Sequence, residues 1–191
     1  VKITVTDNGA GQLVADVKYS TRDGDLNSIS FVNKYQIIED AQVILGGNKH
    51  YLGADLTAGQ FEFGLYEDEA CTKQIGQTVS NNVETIDFGR FVFPTIEYKN
   101  IRFEDLPATY TYYIREILPA GIQEVDDGNG GKDYVLNGVF YDTSVYKAEV
   151  VLTDNGTGGV NVQTLINGIK NDEVAFTNTY NIVSGTAVVL K

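Results

Sequence analysis

The chain of 191 residues carries one histidine, His50, and one cysteine, Cys71. A His- or Cys-based active site would have to be built on these two, and one of each forms neither an internal disulfide nor a structural zinc centre. His50 has no Cys or carboxylate constellation near it in sequence, which suits a surface or strand-edge residue. Cys71 lies in Glu67-Asp68-Glu69-Ala70-Cys71-Thr72, where acidic neighbours keep a thiol protonated and unreactive. Asp-Asn-Gly triplets at residues 7–9 and 154–156 carry calcium-type oxygens, but that tripeptide is foremost a hairpin-turn signal. The run Asp126 to Asp133 lacks the closing acidic ligand of an EF-hand loop and reads as an exposed insertion. No metal site and no cofactor is expected. Three blocks remain that mix reactive side chains with strand-like alternation. They are Lys49-x-x-x-Gly53-x-x-Leu56-x-x-Gly59-x-Phe61-x-Phe63, Tyr110-Thr111-Tyr112-Tyr113-Ile114-Arg115-Glu116, and Phe176-Thr177-Asn178-Thr179-Tyr180.

These blocks need strands to hold them. Apolar and polar residues alternate with period two over Phe61–Leu65, Tyr110–Ile114 and Val145–Leu152, and β-branched and aromatic residues dominate, so each reads as a half-buried strand. Gly89 to Ile96 reads as one core strand. A single helical or 3₁₀ turn is expected at Asp55–Gln60. Twenty glycines, three prolines and regularly spaced turn signals point to an all-β sandwich or barrel. With 42% hydrophobic and 11% aromatic residues the chain can bury a substantial core. Its net charge of −12 and pI near 4.4 leave no basic patch for nucleic-acid phosphates and disfavour an anionic membrane surface. No apolar run approaches a membrane span.

The chain also repeats itself. Val5-Thr6-Asp7-Asn8-Gly9-Ala10-Gly11 matches Leu152-Thr153-Asp154-Asn155-Gly156-Thr157-Gly158, and Phe31-Val32-Asn33-Lys34-Tyr35 matches Phe176-Thr177-Asn178-Thr179-Tyr180. The match runs on through Ile37-Ile38 with Ile182-Val183 and Val43-Ile44-Leu45 with Val188-Val189-Leu190. The offsets are 154 − 7 = 147 and 178 − 33 = 145 residues, a domain-sized period with a two-residue indel. The reading is a tandem-domain fragment. Residues 1–35 are the closing strands of a preceding repeat, 36–182 a complete domain, and 183–191 the opening strand of a following repeat.

Taken in this order, the three blocks resemble the isopeptide-linked domain of streptococcal-type major pilins, a Cna B-type immunoglobulin-like β-sandwich of Gram-positive surface fibres. The resemblance covers nearly the whole chain. It implies that a Lys on the first strand joins an Asn on the last through a spontaneous side-chain amide, promoted by a Glu on a middle strand. Residue by residue, these are Lys49, Asn178 and Glu116. Alternation puts Asn178 on a face with Phe176 and Tyr180, and Glu116 on a face with Tyr112 and Ile114. Burial would favour a neutral Lys49 amine as nucleophile and a neutral Glu116 acid that hydrogen-bonds the Asn178 carbonyl and polarises it. Gly46-Gly47 just before Lys49 could house a bulge that turns its side chain outward. Asn33, the counterpart of Asn178, is expected to be unbonded, and Lys191 falls short of the position matching Lys49.

The implied function is structural: a shaft or stalk module of a Gram-positive pilus or adhesin, at the extracellular surface. It would self-cross-link once and not turn over. Its partners would be neighbouring domains or subunits of the same fibre, with a host-surface ligand as a further possibility and no nucleic acid or membrane insertion. The alternative is a ligand-binding adhesin domain recognising a host or glycan partner through surface loops such as residues 120–138. A hydrolase would need a cleft with coupled titrating residues, and no pair of carboxylates is singled out for that role.

Overall fold

Short runs of alternating apolar residues, punctuated by Asp, Asn and Gly, give a chain that is strand and turn throughout. The computed structural model describes residues 1–22, 24–26, 28–31 and 38–181. Asn33 and residues 182–191, which figure in the sequence reading, lie outside these described residues. The chain divides into two compact units, Val1–Tyr35 and Gln36–Lys191.

The first unit is a three-stranded antiparallel sheet of β1 (Lys2–Asp7), β2 (Leu13–Thr21) and β3 (Gly24–Leu26). Almost every described residue in it is solvent-exposed, the apolar Ile3, Val5, Leu13 and Val14 included.

The second unit holds β4 (Ile38–Val43), β5 (Gly46–Leu52), β6 (Glu62–Tyr66), β7 (Val79–Ser80), β8 (Phe88–Val92), β9 (Ile96–Arg102) and β10 (Ala108–Ile117). It continues with β11 (Gln123–Asp126), β12 (Lys132–Leu136), β13 (Val139–Phe140), β14 (Val145–Asp154), β15 (Val160–Ile166), β16 (Ile169–Lys170) and β17 (Ala175–Tyr180). One six-stranded sheet has the order β16-β15-β14-β10-β6-β7. The other has the order β11-β12-β13-β17-β5-β8, and β4 pairs with β9 at the side. The result is an immunoglobulin-like all-β sandwich. Among the described residues, β5 with β17 is the one parallel strand pairing.

The inner faces meet through aromatic rings. Phe63 of β6 stacks on Phe91 of β8 with centroids 3.8 Å apart. Phe176 of β17 packs against Phe63 and, edge-on, against Tyr146 of β14. Ile114, Ala148, Val150 and Leu152 fill the layer between the sheets. Burying side chains of this size removes about 25 cal/mol of unfavourable free energy per Å² of apolar surface taken from water, and this drives the two sheets together.

Three expectations need correction. Asp55–Gln60 is bend and turn without a helical turn; a 3₁₀ turn sits instead at Phe103–Asp105. Gly89–Ile96 is not one strand. The chain leaves β8 at Val92, passes Pro94, which lacks an N–H for a ladder, and re-forms as β9 in the small sheet beside β4. Residues 120–138 are not a plain surface loop, because β11 and β12 pair as a hairpin inside a six-stranded sheet. Both β11 and the turn residues 127–130 are exposed. The carboxylates at this turn accept backbone N–H groups, Gly128 on Asp126 and Asn129 and Gly131 on Asp127.

Candidate functional site

Lys49 lies in the middle of β5, where alternation turns Gly47, Lys49 and Tyr51 to the core side. The paired glycines do not form a bulge: β5 runs in unbroken register with β8 from Gly46 opposite Val92 to His50 opposite Phe88. They are glycines because there is no room for a side chain. A Cβ at Gly46 would collide with the Phe91 carbonyl, and one at Gly47 would come within 2.7 Å of the Val174 carbonyl oxygen. Lys49 therefore points inward, and its Nζ sits 4.5 Å from the centroid of the Phe61 ring.

Glu116 comes from the far end of β10, two residues past the buried Ile114, and so crosses from the opposite sheet. Asn178 comes from β17, two residues past the buried Phe176, and lies beside Tyr51 in the parallel pairing. Strand period and register thus place three polar side chains on inner faces. Lys49 and Asn178 are 0% exposed and Glu116 is 1% exposed. Unpaired, each would be costly to bury. Here they satisfy one another. Lys49 Nζ donates to Glu116 Oε2 at 2.5 Å, and Asn178 Nδ2 donates to Glu116 Oε1 at 2.6 Å. Asn178 Oδ1 accepts the backbone N–H of Asp142 at 2.8 Å. Among the described residues, no buried side-chain nitrogen or oxygen lacks a partner.

Burial shifts the two titrating groups toward their neutral forms. Removal from water pulls Lys49 from its ordinary 10.5 down to about 8, against the opposing attraction of Glu116 and Asp142. The same desolvation pushes Glu116 above its usual carboxylate range, helped by the nearby Asp142 charge and resisted by Lys49 and Asn178. The ion pair and the neutral pair hold the same number of protons, so one proton moving from Nζ to Oε2 frees the amine without exchange with solvent.

One expected contact is different. Glu116 does not face the Asn178 carbonyl oxygen. A backbone N–H can only donate, so the atom facing Asp142 N must be Oδ1, and Nδ2 is left toward the carboxylate. Glu116 therefore touches both nitrogens, the amine and the amide NH₂, while the oxygen belongs to Asp142. Residue type gives no signal for such a backbone donor. The one hint was an Asp shortly before β14, with a side chain able to cap its own turn.

The remaining sequence candidates lie elsewhere. His50 faces away from Lys49 and packs its ring on Phe88 at 5.1 Å. Cys71 sits at a turn with φ of 53°, and its thiol is pushed up chiefly by partial burial, with Asp68 the lesser cause. The acidic loop is thus not the main reason. Asp7 and Asp154 each accept the N–H two residues on, from Gly9 and Gly156, as hairpin turns require.

A search of curated proteins gave no match. Among solved structures, a point mutant of the major pilin from Streptococcus pyogenes is similar at 16% identity with a TM-score of 0.34. The likeness covers 72% of this chain and 50% of that one, so the chain spans about half the length of the pilin. A family model described as FctA, the Spy0128-like isopeptide containing domain, matches residues 1–36 and 45–181, a span that includes Lys49, Glu116 and Asn178. The chain belongs to this family of Spy0128-like isopeptide containing domains.

Proposed function

We propose that the second unit is a structural shaft or stalk module of a Gram-positive surface fibre, sealed by an amide between Lys49 and Asn178 that the folded chain makes by itself. The observation that carries this reading is Glu116, buried and bridging the Lys49 amine and the Asn178 amide within 2.6 Å of each. In the reaction, neutral Lys49 Nζ attacks Asn178 Cγ. Glu116, protonated at Oε2 when the ammonium is neutralised, gives its proton to Nδ2, which leaves as ammonia, and takes the second proton lost by Nζ. The fold supplies the proximity that makes a primary amide react with an amine. The carboxyl group ends as the neutral acid it was when the amine attacked, but both partners are consumed, so the chain acts once and is not an enzyme. Its partners in this reading are other subunits or domains of the same fibre, at the cell surface.

We also infer that the first unit is the closing part of a preceding repeat. Its Asp7-Asn8-Gly9 turn bonds as Asp154-Asn155-Gly156 does, and its Ile3 and Val5 stand exposed where their counterparts Val150 and Leu152 are buried.

Intact mass tests the bond. The wild-type chain is expected one ammonia lighter than its sequence mass, while Lys49→Ala and Glu116→Ala should both show the full mass. A wild-type chain at full mass would remove the cross-link from this reading.

A further inference from the structure

Glu116 engages both nitrogens of the reacting pair but not the oxygen on which negative charge must develop. We infer that the backbone N–H of Asp142 is the oxyanion donor of the cross-linking step, and that the Asp142 carboxylate is a positioning group that holds this N–H in place. The inference rests on the Lys49–Asn178 reaction proposed above and assigns the part of it that Glu116 leaves open.

The geometry is specific. Asp142 N lies 2.8 Å from Asn178 Oδ1, within the range required of an oxyanion donor. Its own side chain is tied at both oxygens. Oδ1 accepts the N–H of Ser144 at 2.9 Å, which closes the turn into β14. Oδ2 accepts the N–H of Thr177 at 2.9 Å, and Thr177 is the chain neighbour of Asn178. One residue thus clamps the β13–β14 connection to β17 beside the reacting amide, and donor and acceptor cannot drift apart without breaking that clamp.

The electron count follows from these contacts. The Nζ lone pair forms the new C–N bond at Asn178 Cγ, and the C=O π pair moves onto Oδ1, where the Asp142 N–H stabilises the charge. When the charge collapses back, the Cγ–Nδ2 bond breaks and its pair leaves with ammonia, which carries the proton delivered by Glu116, while Nζ gives its surplus proton to the Glu116 carboxylate. A donor preorganised at the oxygen acts where the charge appears and needs no reorganisation at that moment. The arrangement divides the work between a side chain that moves protons and a main-chain group that holds charge.

The test replaces the peptide bond between Tyr141 and Asp142 by an ester, which deletes the N–H and keeps every side chain. Chains are made by cell-free synthesis, and ammonia loss is followed by intact mass against time. The ester is expected to cross-link about a hundredfold more slowly, the usual cost of losing one such donor. Asp142→Ala should also slow the reaction. Asp142→Asn should recover part of the rate, because its amide oxygen can still accept from Ser144. An ester chain within about threefold of wild type would overturn the inference while leaving the cross-link intact. Absence of ammonia loss from the wild type would remove the cross-link and the inference together. Should the ester chain not fold, hydrogen exchange decides. In Lys49→Ala, the Asp142 amide should exchange slowly, and it should exchange faster in Lys49→Ala/Asn178→Ala. Equal exchange in those two chains would overturn the inference.

Discussion

The hairpins β1–β2 and β14–β15 close through the same turn. Asp7 and Asp154 accept from Gly9 and Gly156 at 2.8 and 2.9 Å. Asn8 and Asn155 each accept two further backbone N–H groups from within the turn. The two glycines have nearly the same φ, 79° and 77°, in the left-handed region that glycine enters freely. Beyond the turn the likeness ends. Leu152, two residues before Asp154, is 0% exposed, while Val5, two residues before Asp7, is 55% exposed. Val150 and Ile3, two residues further back, differ in the same way, at 0% and 62%. The outer edge of β14 is paired along its length with β10, and its inner face meets the opposite sheet. Among the described residues, β1 pairs with β2 alone. Turn chemistry is local and needs no partner, whereas burial is supplied by strands far away in sequence. Copying the first without the second gives a hairpin of the right shape with almost no core.

The largest effect should separate the two units by their stability. If Lys49 and Asn178 are joined, most of the second unit becomes one covalent loop, and loop entropy alone contributes about 5 kcal/mol. Lys49→Ala or Glu116→Ala should remove this and lower the denaturation midpoint of the second unit, with no change in the first. Equal midpoints for wild type and variants in chemical denaturation would contradict it. The next effect asks whether counterpart residues differ in energy as they do in exposure. Leu152→Ala should cost about 2–5 kcal/mol as a core truncation, and Val5→Ala should stay within about 0.5 kcal/mol. A Val5→Ala penalty near that of Leu152→Ala, read from urea unfolding, would mean that something covers β1 in solution.

A smaller effect is expected from pH, and only in the second unit. In Asn178→Ala the amine remains, with a folded value of about 8 against 10.5 in the open chain. Between these values the unfolded chain binds more protons than the folded one, so stability should rise with pH across this window, by up to about 3 kcal/mol. Glu116 works in the opposite sense, because its folded value lies above 4.5, and stability should fall as pH climbs past that point. If the wild type is cross-linked, an amide replaces the amine, and the alkaline rise should vanish. An equal rise in both proteins, read from urea unfolding at several pH values, would show that Lys49 is still an amine.

Much of this was legible in the sequence because strands announce themselves by period two. Phe176 and Asn178 on one face, and Ile114 and Glu116 on another, follow from counting by twos. What could not be counted was the assignment of strands to sheets. Gly89–Ile96 reads as one apolar run, and although Pro94 marks a break in it, nothing local says that its two halves join different sheets. The strands β11 and β12 were hidden in a glycine- and aspartate-rich stretch whose composition is that of a loop. The part played by Asp142 was invisible for another reason. Its N–H belongs to every residue but proline, and only the folded register aims it at Asn178.

The parallel pairing of β5 with β17 has a mechanical consequence. A pull applied to the chain before β5 and after β17 drags these neighbours in opposite directions along their length. Their ladder is then loaded in shear, and several hydrogen bonds must fail together rather than one at a time. An amide between Lys49 and Asn178 would lie across that same seam. Tension would pass from one strand to the other through a single covalent link, and the residues between them would carry none of it. Such a unit would transmit load without lengthening, as a rivet does and a spring does not.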